Sequence, residues 1–103
     1  GVFYGGAARR LVGEAAVVRA LDLTVAHVMA GGWRNVLIEI GNEVDLENVW
    51  SHSIIAAGRC HELVELAQQR SRRKIPVSTS LIGMQAPPAA IVAAWPGCCW
   101  PCA

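Results

Sequence analysis

The sequence predicts an α/β fold in which parallel strands alternate with helices. Residues 36–40 form a short apolar run rich in β-branched side chains, which is typical of a parallel strand buried on both faces. A helical pattern precedes this run over residues 14–30, and another follows it over residues 59–72. A second strand pattern covers residues 75–82. The order helix, strand, helix, strand therefore indicates βα units.

The composition is that of a single small domain that is more apolar than usual. Of the 103 residues, 53% are hydrophobic and 17% are charged, whereas charged residues make up about 25% of a typical soluble domain. No stretch is long and apolar enough to predict a membrane span, and the first residues do not follow the pattern of a signal peptide. We expect a piece of a larger domain, because strands covered on both faces would account for the apolar excess.

The first helix is predicted over residues 14–30. Its apolar side chains recur at helical spacing and form one stripe. The stripe consists of Val18, Leu21, Val25, Val28 and Met29. Gly31 and Gly32 end the helix, because glycine readily adopts the left-handed conformation of a helix C-terminus.

The second helix is predicted over residues 59–72, and a short third helix over residues 89–94. The apolar face of the second helix consists of Cys60, Leu63, Val64 and Ala67. The basic residues at positions 70–74 complement the helix dipole, with phosphate binding as the alternative. The segment that begins at His61-Glu62 resembles a zinc-protease motif but lacks its second histidine. No zinc site is therefore predicted on this helix.

The first strand ends in polar residues that do not belong in a core: Asn42, Glu43 and Asp45. Ligand sites of parallel α/β folds lie beyond the carboxyl ends of the strands, so these residues are functional candidates. Strand alternation places Glu43 on the same face as Gly41, provided that no bulge intervenes. Two interpretations stay open. Either one face lines the interior of a barrel, or the acidic end of an ordinary strand caps the next loop.

Residues 35–45, with the Asn42-Glu43 pair at the strand end, resemble the fourth strand of clan A glycoside hydrolases, the cellulase-like (β/α)8 barrels. Three flanking segments extend the resemblance to a bacterial cellulase-like group. They are Phe3-Tyr4-Gly5 as the end of the preceding strand, residues 33–39 as the passage from helix to strand, and His61-Glu62-Leu63-Val64 in the following helix. The resemblance covers roughly residues 1–92.

The resemblance implies a partial (β/α)8 barrel with about two and a half βα units and parallel strands. A complete barrel needs about 250 residues, so residues 1–94 would be an incomplete barrel segment. Residues 95–103 depart from the family and form an atypical tail rich in Cys, Trp and Pro. This tail contains Cys98, Cys99 and Cys102. Their C-x-x-C spacing lacks the second ligand pair of a zinc site, so neither a metal nor another cofactor is expected.

The resemblance also implies a function: a fragment of a retaining glycoside hydrolase that acts on O-glycosidic bonds of a poly- or oligosaccharide. Glu43 would be the general acid/base, and Asn42 would contact the sugar 2-hydroxyl. The nucleophile would come from a strand outside this chain, so we expect this segment alone to be inactive. The alternative is a non-catalytic α/β module or an inactive barrel remnant.

Three further residues are candidates for substrate binding: Tyr4, Trp50 and His52. Tyr4 would stack on a sugar ring, or else fill a core layer. Trp50 and His52 lie on the long connection after the first strand, where barrel enzymes hold substrate. The competing interpretation, which the residue pattern slightly favours, is a loop anchored by a buried Trp50.

The expected partners follow from the same interpretation. The ligand would be a carbohydrate, and the macromolecular partner would be the remainder of the barrel or a second copy that associates through exposed strand edges. A net charge of +1 does not favour binding to nucleic acid or to a membrane.

Overall fold

A computed structural model describes residues 12–46, 49–83 and 88–94. These residues form three helices and one two-stranded parallel sheet. The elements in chain order are α1 (Gly13–Gly31), β1 (Ile38–Glu39), α2 (Cys60–Arg70), β2 (Val77–Ser78) and α3 (Ala89–Ala94). Among the described residues, no helix combines the length and the apolar character needed to cross a membrane.

The predicted fold class, a partial (β/α)8 barrel, is wrong. The described part of the chain is mostly helical, and its sheet contains only β1 and β2, each two residues long. The apolar runs are longer than the strands because turn-forming residues bound the pairing. Pro76, which has no N–H to donate, precedes β2, and the chain turns after Gly41. Strand pattern in the sequence therefore extends beyond the ladder that the backbone forms.

The predicted parallel pairing of the two segments is confirmed over this shorter stretch. Ile38 pairs with Val77, and Glu39 pairs with Ser78. The backbone N–H of Ile38 donates to the Pro76 carbonyl at 3.0 Å, and that of Ile40 donates to the Ser78 carbonyl at 2.8 Å. Consequently, the carboxyl ends of both strands lie at the same edge of the sheet.

Helix α1 has the predicted amphipathic pattern. Val17 and Val25 are buried, and the partly buried Leu21, Val28 and Met29 pack against the core. The helix ends at the predicted glycines: Gly32 has a φ of 67° and its N–H donates to the Met29 carbonyl at 3.2 Å. This left-handed residue satisfies a helix-end carbonyl that otherwise has no intrahelical donor.

Helix α2 lies at the centre of the packing and contacts α1, β2 and α3. All four residues of its predicted apolar face are buried, and so is Gln68. The Gln68 side-chain amide donates to the Ala94 carbonyl at 3.0 Å. This bond satisfies a carbonyl at the C-terminal end of α3 and docks that helix against α2.

Two apolar clusters matter for the placement of the strand ends. The larger one joins all three helices and the sheet, and consists of Val25, Ile38, Val64, Ala67, Ile75, Val77 and Ala94. The second contains Val44, Cys60 and Ile91, with Trp50, Ile55 and Leu81 packed against it. Val44 directly follows Glu43, so the second cluster anchors the segment that leaves β1.

A surface ion-pair cluster connects the N-terminal ends of α1 and α2. The Arg59 guanidinium donates to both carboxylate oxygens of Glu14 at 2.8 and 2.9 Å, and to both of Glu62 at the same two distances. These hydrogen bonds lower the pKa of the Glu14 and Glu62 carboxyl groups and raise the pKa of Arg59. All three side chains stay partly exposed, so salt should weaken the cluster.

We predict that Arg59→Ala lowers the melting temperature at pH 7 and that this difference fades in acid. A carboxylate whose pKa is lowered on folding stabilises the folded state above its unfolded pKa. That contribution is lost as the pH falls below the usual value of 4.5. Circular dichroism melts at pH 7 and pH 3, in low and high salt, measure the effect.

The matched control is Arg19→Ala, which removes an exposed arginine of α1 that makes no ion pair with another described residue. Its melting temperature should stay close to that of the unmodified chain at both pH values. A loss for Arg59→Ala that is equally large at pH 3 and pH 7 would show that the side chain stabilises by packing instead of by charge.

Candidate functional site

The polar residues singled out in the sequence lie at the carboxyl end of the sheet. Residues 41–45 follow β1 and residues 79–82 follow β2; together we call them the strand-end corner. Because β1 and β2 are parallel, both segments leave the sheet at the same edge, where α/β folds place their ligands.

Backbone hydrogen bonds hold the two segments of the strand-end corner together. The Ser80 N–H donates to the Gly41 carbonyl at 3.1 Å, and the Val44 N–H donates to the Ser80 carbonyl at 3.0 Å. The Thr79 hydroxyl adds a bond to the Gly41 carbonyl at 3.0 Å. The segment after β1 is therefore fixed to the segment after β2 beyond the end of the regular ladder.

The Ser80 side chain connects Asn42 and Glu43. Its Oγ accepts the backbone N–H of Glu43 at 2.9 Å, and its hydroxyl donates to Asn42 Oδ1 at 3.2 Å. A second side-chain bond closes the corner, since Asp45 Oδ1 accepts the N–H of Ile82 at 2.8 Å. Of the three polar residues predicted at the strand end, Asp45 therefore has a structural role.

The backbone of Glu43 is strained. Its φ is 54°, a left-handed conformation that costs a residue with a side chain about 1–2 kcal/mol. Glu43 therefore does not follow the alternation of the strand, because the chain has already left β1 and turned. Local strain of this kind is concentrated at functional sites, and the bonds to Ser80 on both sides of Glu43 maintain it here.

Asn42 is exposed and Glu43 is half-buried. Among the described residues, no hydrogen bond or ion pair occupies the Glu43 carboxylate; the bond to Glu43 is made through its backbone. The strand-end corner thus carries three polar groups: the amide of Asn42, the carboxylate of Glu43 and the hydroxyl of Ser80. These groups together can both donate and accept hydrogen bonds to a polyhydroxylated ligand.

Trp50 belongs to the core side of the corner. It packs against the cluster of Val44, Cys60 and Ile91, and its indole N–H is buried without a hydrogen-bond partner among the described residues. A Cβ on Gly41 would lie 2.7 Å from Val44 and 3.9 Å from the Trp50 ring. Gly41 is therefore needed for the close approach of this loop, which supports the interpretation of Trp50 as a loop anchor.

Of the other two candidate binding residues, His52 lies within the described residues and Tyr4 lies outside them. The hydrogen bond from Arg59 is the main cause that lowers the pKa of the Glu14 carboxyl group, and an electrostatic contribution from His52 is the smallest one, which places His52 towards the Arg59 ion pairs. Tyr4 lies outside the described residues, as do Phe3 and the cysteines of the predicted tail.

Nothing in the described ranges indicates a metal or a reactive thiol. No group of three His, Cys, Asp or Glu side chains there is arranged to hold a metal ion. Burial raises the pKa of the Cys60 thiol to about 11, so this cysteine is neither an anionic ligand nor a nucleophile at neutral pH.

Ser80 is the functional candidate that sequence reasoning did not assign. The sequence did indicate polar side chains at this position, because Ser78, Thr79 and Ser80 approach the end of the second predicted strand. What the sequence lacked was the register. Only the pairing of Ile38 with Val77 places Ser80, and neither of its neighbours, beside Asn42 and Glu43.

No protein-family model matches the chain, and comparisons with curated proteins and with solved structures found no similar protein. The resemblance of residues 35–45 to glycoside hydrolases therefore stays a prediction.

Proposed function

We propose that the strand-end corner binds carbohydrate and supplies the general acid/base of a retaining glycoside hydrolase. The observation that carries the proposal is that Ser80 binds both Asn42 and Glu43. An exposed amide and a carboxylate are thereby held side by side at the carboxyl end of two parallel strands. This local arrangement does not require a barrel, because it depends only on the pairing of β1 with β2.

Each group has a defined role in this proposal. Glu43 protonates the leaving glycosidic oxygen and then activates the water that releases the sugar. Asn42 hydrogen-bonds the 2-hydroxyl, a contact that strengthens towards the transition state. Retention also requires a second carboxylate about 5–5.5 Å from the first, and no residue of this chain is assigned to that role. The chain alone should bind sugar without hydrolysing it.

We predict that cellotetraose shifts the amide resonances of Asn42, Glu43 and Ser80 in the ¹⁵N-labelled chain. Asn42→Ala should weaken this binding about tenfold, because one hydrogen bond to the sugar is lost. Titrations followed by heteronuclear NMR measure both effects. The same titration with maltotetraose, whose glucose units are α-linked, tests whether the corner distinguishes the two configurations of the linkage.

The matched control is Glu39→Gln, which neutralises an exposed carboxylate within β1. Its affinity for cellotetraose should equal that of the unmodified chain. Resonance shifts confined to other surfaces, or an Asn42→Ala variant that binds as well as the original, would overturn the assignment of this corner.

We predict a split between substrate classes in a protein that carries this segment together with the second carboxylate. Glu43→Gln removes acid assistance, so kcat/KM for unactivated oligosaccharides should fall about 10²–10⁴-fold. Aryl glycosides whose leaving group needs no protonation should lose the least. Steady-state kinetics on both classes test this, and an equal loss on both, with an unchanged circular dichroism spectrum, would refute the acid/base role.

One observation favours a second candidate function, a non-catalytic module that associates through its sheet edge. In a parallel ladder, alternate residues bond to a given neighbouring strand. Ile38 and Ile40 bond to the β2 side, so the backbone groups of Leu37 and Glu39 face the opposite edge. Among the described residues no strand pairs with that edge, and Leu37 is 47% exposed. An unpaired edge of this kind invites pairing with another chain.

For this second candidate we predict that Leu37→Lys reduces self-association, because a lysine at a strand edge opposes pairing between chains. Sedimentation velocity over a range of concentrations measures it. Val92→Lys, on the exposed side of α3, is the matched control. A monomeric original chain, or an equal effect of both substitutions, would remove support for an edge-pairing module.

A further inference from the structure

We propose that Ser80 is a positioning residue that fixes which end of the Asn42 amide faces the ligand. This inference deepens the proposed function, because it defines the chemistry that the strand-end corner offers to a sugar. The orientation itself is a property of the free chain and can be tested without any ligand.

The structure shows this orientation, and the donors and acceptors of Ser80 are consistent with it. A serine hydroxyl has one proton to donate and lone pairs to accept with. The backbone N–H of Glu43 can only donate, so Ser80 Oγ is the acceptor of that bond at 2.9 Å. The single Ser80 proton is then available for Asn42 Oδ1, which lies 3.2 Å away. The carbonyl end of the Asn42 amide is thereby turned towards Ser80.

The opposite end of the amide is left for the ligand. Asn42 is exposed, and its Nδ2 carries two protons that the Ser80 bond does not use. Beside it, the Glu43 carboxylate has no hydrogen-bond partner among the described residues and acts as an acceptor while ionised. The corner therefore presents a donor and an acceptor in consecutive residues.

This pair of groups selects a class of ligand. A sugar hydroxyl can accept a hydrogen bond from Asn42 Nδ2 and donate one to the Glu43 carboxylate. An ammonium group has no lone pair for Nδ2, and a carboxylate ligand would be repelled by Glu43. The geometry thus favours neutral hydroxyl groups over charged ligands, and Ser80 determines that preference through the orientation of Asn42.

The orientation can be tested by NMR on the ligand-free chain. The Asn42 side-chain NH₂ should exchange rapidly with water and show no nuclear Overhauser effect to the Ser80 β protons. Ser80→Ala should shift the Asn42 NH₂ resonances, and Ser80→Thr, which keeps the hydroxyl, should restore them. A nuclear Overhauser effect between the NH₂ and the Ser80 β protons, together with slow exchange, would overturn the proposal.

The binding consequence can be tested with Asn42→Asp. An aspartate keeps an oxygen for the Ser80 hydroxyl but has no N–H to donate. We expect cellotetraose to bind about tenfold more weakly while the Glu43 amide proton remains protected from exchange. Asn35→Asp, at an exposed position before β1, controls for the added charge and should bind normally.

The outcomes separate this inference from the proposed function. If Asn42→Asp binds cellotetraose as tightly as the unmodified chain does, the donor role of Asn42 is refuted. If the unmodified chain binds no cellotetraose at all, the proposed function fails, and the ligand-free NMR measurements still decide the role of Ser80. Should Ser80→Ala not fold, the exchange rate and Overhauser measurements on the unmodified chain and on Ser80→Thr decide it.

Discussion

The structure at the strand ends depends on the hydrogen bonds of one residue, Ser80. Its N–H, its carbonyl and its hydroxyl all bond to residues 41–44. Strands of two residues provide few ladder bonds of their own, and an isolated pair of such strands would be marginal. The bonds of Ser80 extend the contact between the two segments past the regular sheet. They keep the turn at Glu43 in place without further strand pairing.

Packing beneath the corner supports the same turn from the apolar side. Val44 is 1% exposed and sits with Cys60 and Ile91 in a cluster that joins the corner to α2 and α3. Its carbonyl accepts the Ala57 N–H at 3.0 Å, which links the corner to the segment that leads into α2. The strained φ of Glu43 is thus held from both sides. On the polar side the hydrogen bonds to Ser80 hold the turn, and on the apolar side the buried Val44 side chain holds it.

The contrast with the Arg59 cluster shows which interactions position the site. Arg59 makes four short hydrogen bonds to Glu14 and Glu62, yet all three side chains are partly exposed, where ion pairs contribute little. The hydrogen bonds of Ser80 involve no charged group. They join backbone groups and short side chains, which lose little conformational entropy when they are fixed. Precise placement of Asn42 and Glu43 therefore comes from neutral hydrogen bonds and packing.

The sequence by itself determined the helices, the parallel pairing of the two apolar segments and the position of Asn42 and Glu43 at a strand end. These features depend on local periodicity and on glycine or proline punctuation, which short stretches of chain encode. Tertiary structure alone decided three others: the two-residue length of the strands, the left-handed turn at Glu43 and the contact of Ser80 with Asn42. Each of these depends on which residues of distant segments lie opposite one another. Such a register depends on which apolar faces of the two segments are buried together and on the connection between them, so neither segment specifies it alone.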